Sequence, residues 1–220
     1  LLLYAFWQRA FKSGGFNAGV SDLSAFVTPY DDESVDSYET GFKSEWFDHR
    51  LRLNVNAFFA EYSDLQRSAV TPSLSAPSGV VTVVTNAASV ESYGLEIEAS
   101  ARITPDFTVF SNVGWNPAKY SEYCKDINGV SASPLPLPGQ VACGPAVATT
   151  PPGNFIVPTD NSGLHTLRSP EWDTTFGASY DVDLADAGGL TFNTSVNYRS
   201  EAWTQLLNLP YSHREPMTIW

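Results

Sequence analysis

The sequence predicts an all-β chain, an antiparallel up-and-down transmembrane β-barrel present in part. Three observations predict it: long strands with one apolar and one polar face, connections that alternate between short and long, and aromatic residues near strand ends. Successive side chains of a strand point to opposite faces, so an apolar residue at every second position marks a strand between an apolar and a wet environment. The clearest case runs from Val90 to Trp115. Tyr93, Leu95, Ile97, Ala99, Ala101 and Ile103 occupy one face, and Gly94, Glu96, Glu98, Ser100 and Arg102 the other. Thr104-Pro105-Asp106 turns the chain, because Pro presets the turn dihedral and Asp bonds nearby backbone. Alternation then resumes with Phe107, Val109, Val113 and Trp115, interrupted at Phe110 and Ser111.

The other elements follow in order. Leu1 to Phe11 is an apolar-aromatic strand, and Lys12 to Ser34 is a polar loop with Gly14-Gly15 and the acidic run Asp31-Asp32-Glu33. Val35 to Trp46 is a strand with Tyr38, Thr40, Phe42, Ser44 and Trp46 on one face; Phe47-Asp48-His49 is a tight turn. Arg50 to Ser63 is a strand with Leu51, Leu53, Val55, Ala57 and Phe59 against Arg52, Asn54 and Asn56. Asp64 to Ala88 is a loop in which Val80 to Val84 extend the next strand. After the central hairpin, Ser121 to Leu167 is the longest loop, rich in Pro and Gly and holding both cysteines. Arg168 to Asp183 and Leu190 to Trp203 are strands joined by a turn at Leu184 to Gly189, and an eighth strand opens near Trp220.

In a meander, alternate connections lie at the same end, so one end carries short turns and the other long loops. Outer-membrane barrels are laid out this way, and soluble sandwiches rarely are. The strands also exceed the usual soluble length of about 5 or 6 residues and suit a tilted membrane crossing of about 9 to 11. Trp46, Trp115, Trp172, Tyr180 and Trp203 sit where an interfacial girdle belongs. The rival architecture is a soluble β-sandwich surface or adhesion module whose apolar face is core. A complete eight-stranded barrel fails, because too little chain follows the last loop to make a full strand.

Composition narrows the function. Twelve Lys and Arg against 24 Asp and Glu leave a net charge of −12, which argues against a nucleic-acid binder, since that needs basic patches. There is no apolar run long enough for a membrane helix, and the mean hydropathy of −0.15 is what alternating strands average to. The single Met is Met217, and the first residues already read as a strand in progress; both ends read as cut from something longer. No GxSxG, HExxH, phosphate-binding glycine loop or dinucleotide fingerprint occurs, and His49, His165 and His213 are far apart in turns or loops, so no enzyme is predicted. Asp181, Asp183 and Asp186 ahead of Gly188-Gly189 lack calcium-loop spacing and read as a solvated turn.

Four stretches resemble the barrel of TonB-dependent outer-membrane receptors: FKSGGFN (Phe11 to Asn17), the run from Pro29 to Gln66 containing ETGFKSEW and RLRLN, the run from Val84 to Phe110 containing YGLEIEA, and LRSPEWDTTFGASYDV (Leu167 to Val182). The resemblance implies a barrel of about 22 strands closed by an amino-terminal plug, of which this chain supplies about seven. It implies a Gram-negative outer-membrane location with the long loops extracellular, contact with membrane lipid, and coupling to TonB through a plug segment not seen here. It implies uptake of a ferric siderophore or another bulky nutrient, with no cofactor. The whole chain reads as part of one barrel domain, without plug or terminal strands.

Cys124 and Cys143 share one external loop. In an oxidising compartment a disulfide leads, ahead of free thiols and of a metal pair, which lacks a nearby His. Closing a loop of about 20 residues is worth roughly 3 kcal/mol in the chain-entropy model. Lys43, Arg52, Glu96, Glu98, Arg102, Asp173, Asp181 and Arg199 are expected to face the lumen, where they pair with one another or the plug, or line the ligand path. Phe16, Tyr30, Tyr123 and Phe155 are the loop aromatics suited to holding a ligand.

Overall fold

A computed structural model describes every residue except Ser21, Leu74, Thr150, Pro151, Leu207 and Leu209. Its main sheet is an antiparallel meander of β1 (Leu2–Lys12), β2 (Glu33–Trp46), β3 (Leu51–Pro72), β4 (Val80–Thr104), β5 (Phe107–Trp115), β7 (Trp172–Asp183), β8 (Gly189–Arg199) and β9 (Met217–Ile219). β6 (Ala118–Lys125) continues the line of β5 and also pairs with β4. The break between them is Asn116-Pro117, where Pro has no N–H for the ladder. The other sheets are two-stranded, and no second sheet covers the apolar face among the described residues. A sandwich needs two packed sheets, so that rival architecture is not the one adopted.

Directly opposed residues share a face. One cross-strand line joins Leu3, Phe42, Val55, Ile97, Val113, Thr174 and Tyr198. Two steps towards the loop end the same face carries Ala5, Thr40, Ala57, Leu95, Trp115 and Trp172, then Trp7, Tyr38, Phe59 and Tyr93. Towards the turn end it carries Trp46, Phe107, Tyr180 and Phe192. Leu3, Trp7, Tyr38, Phe59, Tyr93, Ile103, Phe176 and Phe192 are all exposed on this face. From Tyr93 to Ile103 a strand advances about 33 Å at 3.3 Å per residue, which at a tilt of about 40° is a height of about 25 Å, a membrane-barrel apolar band.

Three polar-face aromatics lie over glycines of the neighbouring strand. A Cβ added at Gly41 would meet the Tyr4 hydroxyl at 2.8 Å and its ring at 2.9 Å, one at Gly94 the Phe58 ring at 2.7 Å, and one at Gly177 the Phe110 ring at 2.3 Å. This accounts for the interruption at Phe110: the ring points to the polar face because Gly177 leaves it a slot, and Ser111 takes the apolar face. Rings that cover sheet glycines pin register.

Several boundaries differ from the sequence reading: the predicted loop from Ser121 begins as strand, since β6 runs to Lys125 and carries Cys124, and the predicted strand from Leu190 to Trp203 ends at Arg199. The predicted loop from Asp64 to Ala88 is mostly strand, since β3 and β4 pair out to Pro72 and Val80 and leave a connection of residues 73–79. Its Val, Thr and Ser content is compatible with β structure but lacks the alternation that a lipid boundary imposes. The predicted strand at Arg168 starts at Trp172, after Arg168 at φ 57 and Pro170. Residues 150 and 151 of the predicted loop Ser121 to Leu167 lie outside the described residues.

Replacing Gly177 by Ala forces the Phe110 ring out of its slot. The full-length protein in detergent is expected to lose about 1–3 kcal/mol, read from its urea unfolding midpoint, with partial recovery when Phe110→Leu is added. An unchanged midpoint in Gly177→Ala would remove the ring-on-glycine account.

Candidate functional site

The polar face of the sheet is one candidate surface. Register places all eight predicted charged residues on it. Glu96 opposes Asn56 and Gly114, and Asp173 opposes Gly114 and Arg199. Lys43 opposes Asn54, which opposes Glu98; Glu45 opposes Arg52; Arg102 opposes Thr108; Asp181 opposes Thr191. Five are engaged: the Arg199 guanidinium reaches Asp173 at 2.6 Å and Arg52 reaches Glu45 at 3.4 Å, the Asn54 amide donates to Glu98 at 2.9 Å, and the Thr191 hydroxyl to Asp181 at 2.6 Å. Lys43, Glu96 and Arg102 make no side-chain hydrogen bond or ion pair among the described residues. Glu39 has the same alternation and face as Lys43 but is not among the eight predicted charges; it accepts from the Tyr4 hydroxyl at 2.9 Å and from the Asn56 amide at 3.1 Å. Its place in the alternation, two before Gly41, was the available signal.

The loop end is the second candidate surface, and it is a packed body. Leu65, Ala88, Val90, Tyr120 and Tyr123 form a buried cluster where β3, β4 and β6 rise beyond the aromatic row, with Ile127, Leu164 and Leu206 against it. The Arg67 guanidinium donates to the Tyr120 hydroxyl at 3.2 Å. Tyr123 has no exposed surface, and burial raises its phenol pKa to about 12. It therefore does not serve as a loop aromatic that touches a ligand. Phe16 is exposed and Tyr30 and Phe155 are half-buried.

Polar side chains tie the first loop to the β3–β4 hairpin. Asn17 brackets Val84, donating to its carbonyl at 3.0 Å and accepting from its amide at 2.7 Å. The Gln66 side chain donates to the carbonyls of Ser13 and Asp31, and the Asn86 side chain to those of Asp31 and Asp64. Asp22 caps the short helix α1 (Leu23–Val27), accepting from the amides of Ser24 and Ala25, and accepts from the Ser73 hydroxyl of the hairpin at 2.5 Å. Cys124 of β6 is bonded to Cys143 with their Cα atoms 5.8 Å apart. Asp126 accepts from the amides of Asn128, Gly129 and Val157. Between the first loop and the hairpin lies a crevice of about 480 Å³, lined by Asn17, Tyr30, Asp31, Thr85 and Lys125 among others. Among the described residues no group of three or more His, Cys, Asp or Glu is placed to hold a metal ion.

The family model described as "TonB dependent receptor-like, beta-barrel" matches residues 1–216. Three solved structures are similar. The ferric yersiniabactin uptake receptor FyuA from Yersinia pestis gives a TM-score of 0.64 at 15% identity, over 98% of this chain and 26% of that one. The siderophore receptor PiuA from Acinetobacter baumannii gives 0.61 at 17%, over 98% and 26%. The pyoverdine outer membrane receptor FpvA from Pseudomonas aeruginosa gives 0.55 at 15%, over 98% and 26%. At these identities the likeness shows the fold, and the chain spans about a quarter of each structure, at 26%.

The Asp22 contacts carry a pH dependence. Hydrogen bonds from Ser24, Ser73 and Ala25 lower its pKa from 3.8 to about 2. A lowered carboxylate pKa stabilises above the unfolded value, and that stability is lost as pH falls through the folded value. Hydrogen exchange of residues 22–28 in the full-length protein is therefore expected to stay protected at neutral pH and to loosen only as pH falls from 3.8 towards about 2. Asp22→Ala should expose the same amides at neutral pH; full protection in that variant would show that the cap does not hold the loop.

Proposed function

The chain belongs to the TonB-dependent receptor β-barrel family, and from that premise we propose that it is a wall segment of an outer-membrane receptor that takes up a ferric siderophore or another bulky nutrient with energy coupled through TonB. The observation that carries the reading is the pairing of a membrane-height apolar band with a packed loop body at one end only. Loops on a rigid scaffold are where recognition usually sits, and the turns at Phe47–His49 and Leu184–Gly188 offer no comparable surface. The similar solved structures support the class of cargo, being described as receptors for ferric yersiniabactin, siderophore and pyoverdine.

In this reading the whole chain is one stretch of barrel wall, its apolar band meets lipid and its polar face lines the lumen. A charge on the lipid side costs about 2–4 kcal/mol at midplane, so Lys43, Arg52, Glu96, Glu98, Arg102, Asp173, Asp181 and Arg199 belong inside. Lys43, Glu96 and Arg102 are the charges left for the plug or the passing ligand. The Cys124–Cys143 bond keeps β6 attached to a loop that faces the oxidising exterior.

Two measurements on the full-length receptor test this. Under iron restriction, cells should take up radio-iron from at least one of a panel of ferric siderophores that includes pyoverdine and yersiniabactin, and should stop when the receptor is deleted or the proton gradient collapsed. Uptake indifferent to both would end the transport reading. An epitope tag at Gly139 should be labelled on intact cells and one at Asp186 only after the outer membrane is broken; the opposite pattern would invert the topology.

Spin labels scanned from Tyr93 to Ile103 should alternate with a period of two, odd positions open to oxygen and Glu96 and Glu98 open to a polar relaxer. Another period would remove these residues from the lumen.

A further inference from the structure

At the loop end of β7 and β8 lies a cavity of about 290 Å³ lined by His165, Glu171, Trp172, Tyr198, Glu201 and Trp203 among others. We propose that this cavity binds the ammonium group of an organic cation through Trp172, Tyr198, Trp203, Glu171 and Glu201. Neither the transport reading nor the proposed ligand path uses these residues, and failure of this proposal leaves uptake untouched.

The chemistry of the lining points to that class. Aromatic faces are negative and attract cations whose own shell is apolar, as quaternary ammonium cages do. Three aromatic residues line the cavity together with two carboxylates, and neither lysine nor arginine is among its lining residues. The acids are only partly answered by protein. His165 lies 3.8 Å from Glu171, and His213 lies 2.9 Å from Glu201 and 3.2 Å from Glu215, so two imidazoles face three carboxylates. A metal ion suits the site less well, since it needs several converging donors and none converge here among the described residues. Anions are disfavoured by both carboxylates.

The walls are preformed. The Arg168 amide donates to the Trp203 carbonyl at 2.8 Å, and the Ser200 amide to the Trp172 carbonyl at 2.9 Å. The Ser200 hydroxyl accepts from the Trp172 amide at 3.0 Å. The Trp203 ring lies 4.8 Å from that of His213, tilted by 49°, and 6.5 Å from that of His165, and Trp172 lies 6.1 Å from Trp115. Register gives the level. Trp172 opposes Trp115 at the loop-side end of β7 and β5, one row short of the Phe59–Tyr93 line, and Tyr198 opposes Thr174 on the same apolar face. The cavity therefore sits where the apolar band ends, at the height of lipid headgroups. An ammonium group reaches it either from a zwitterionic headgroup or from a free cation in solution.

The test uses the full-length receptor and tetramethylammonium chloride as probe, with potassium chloride holding ionic strength constant, read by saturation-transfer NMR of the probe's methyl protons. Saturable binding is expected, weakened about tenfold in Glu171→Gln/Glu201→Gln and in Trp172→Leu, and unchanged in the exposed control Glu122→Gln. The single Trp172→Leu variant keeps the test decisive should the double variant fail to fold. Two arms separate the sources: in nanodiscs of phosphatidylethanolamine the probe is outcompeted relative to phosphatidylglycerol if the headgroup is the ligand, and binds equally in both if a free cation is. Absence of saturable binding, or equal binding in wild type and both cavity variants, would overturn the proposal.

Discussion

Backbone hydrogen bonding in hydrocarbon orders this molecule. No water reaches the amides and carbonyls of a membrane-spanning strand, so each must be paired within the sheet. The ladders obey this within the apolar band. The register shifts between Tyr62 and Leu65, between Leu65 and Gln66 and between Ser89 and Val90 lie beyond the aromatic line marked by Phe59 and Tyr93, and the one between Arg102 and Thr104 lies at the opposite turn. The Asn116-Pro117 break also falls beyond Trp115. Between these limits the pairing runs without a slip, and a one-residue slip there would put Glu96 and Glu98 into lipid.

Past the aromatic line water is available and a different kind of structure takes over. Side chains, more than ladders, join the loops to the protruding hairpin: Gln66 and Asn86 each reach several backbone carbonyls, and Asp22 and Asp126 each collect several donors. Such bonds are modest singly, about 0.5–1.5 kcal/mol net. Beneath them Tyr120 and Tyr123, with ring centroids 4.9 Å apart, supply an apolar floor. A loop ordered before its ligand arrives has less conformational entropy left to lose on binding.

The physics that wrote the pattern explains what was legible in it. Lipid on one side and water on the other force a period of two, so the strand order, the short turns and the shared sheet face of the eight predicted charges could be read residue by residue. The pattern fades where lipid ends. Val80 to Thr85 and Gln66 to Pro72 are strand in an aqueous setting, which leaves no alternation to read. Phe110 looked like an interruption because its slot is made by Gly177, far along the chain. Tyr123 looked like a loop aromatic, and only its partners Leu65, Ala88 and Val90 reveal it as core. The Trp172–Trp203 cavity was out of reach for a related reason: Glu171 and Glu201 are separated by a whole hairpin, and nothing local ties them together.

Charge is distributed as unevenly as order. Of the eight predicted polar-face residues, Lys43, Arg52, Arg102 and Arg199 balance Glu96, Glu98, Asp173 and Asp181, so this set contributes nothing to the net −12. Much of the surplus lies at and beyond the aromatic line on the loop side, in Asp31, Asp32, Glu33, Glu61, Glu91, Glu122 and Glu201. In the proposed orientation an approaching solute meets that acidic end first, within a screening length of about 8 Å at physiological salt. On the transport proposal, selection by net charge falls before entry. Along the wall, where the predicted charges of the two signs are equal in number, discrimination passes to the positions of single groups, of which Lys43, Glu96 and Arg102 are the ones without a protein partner among the described residues.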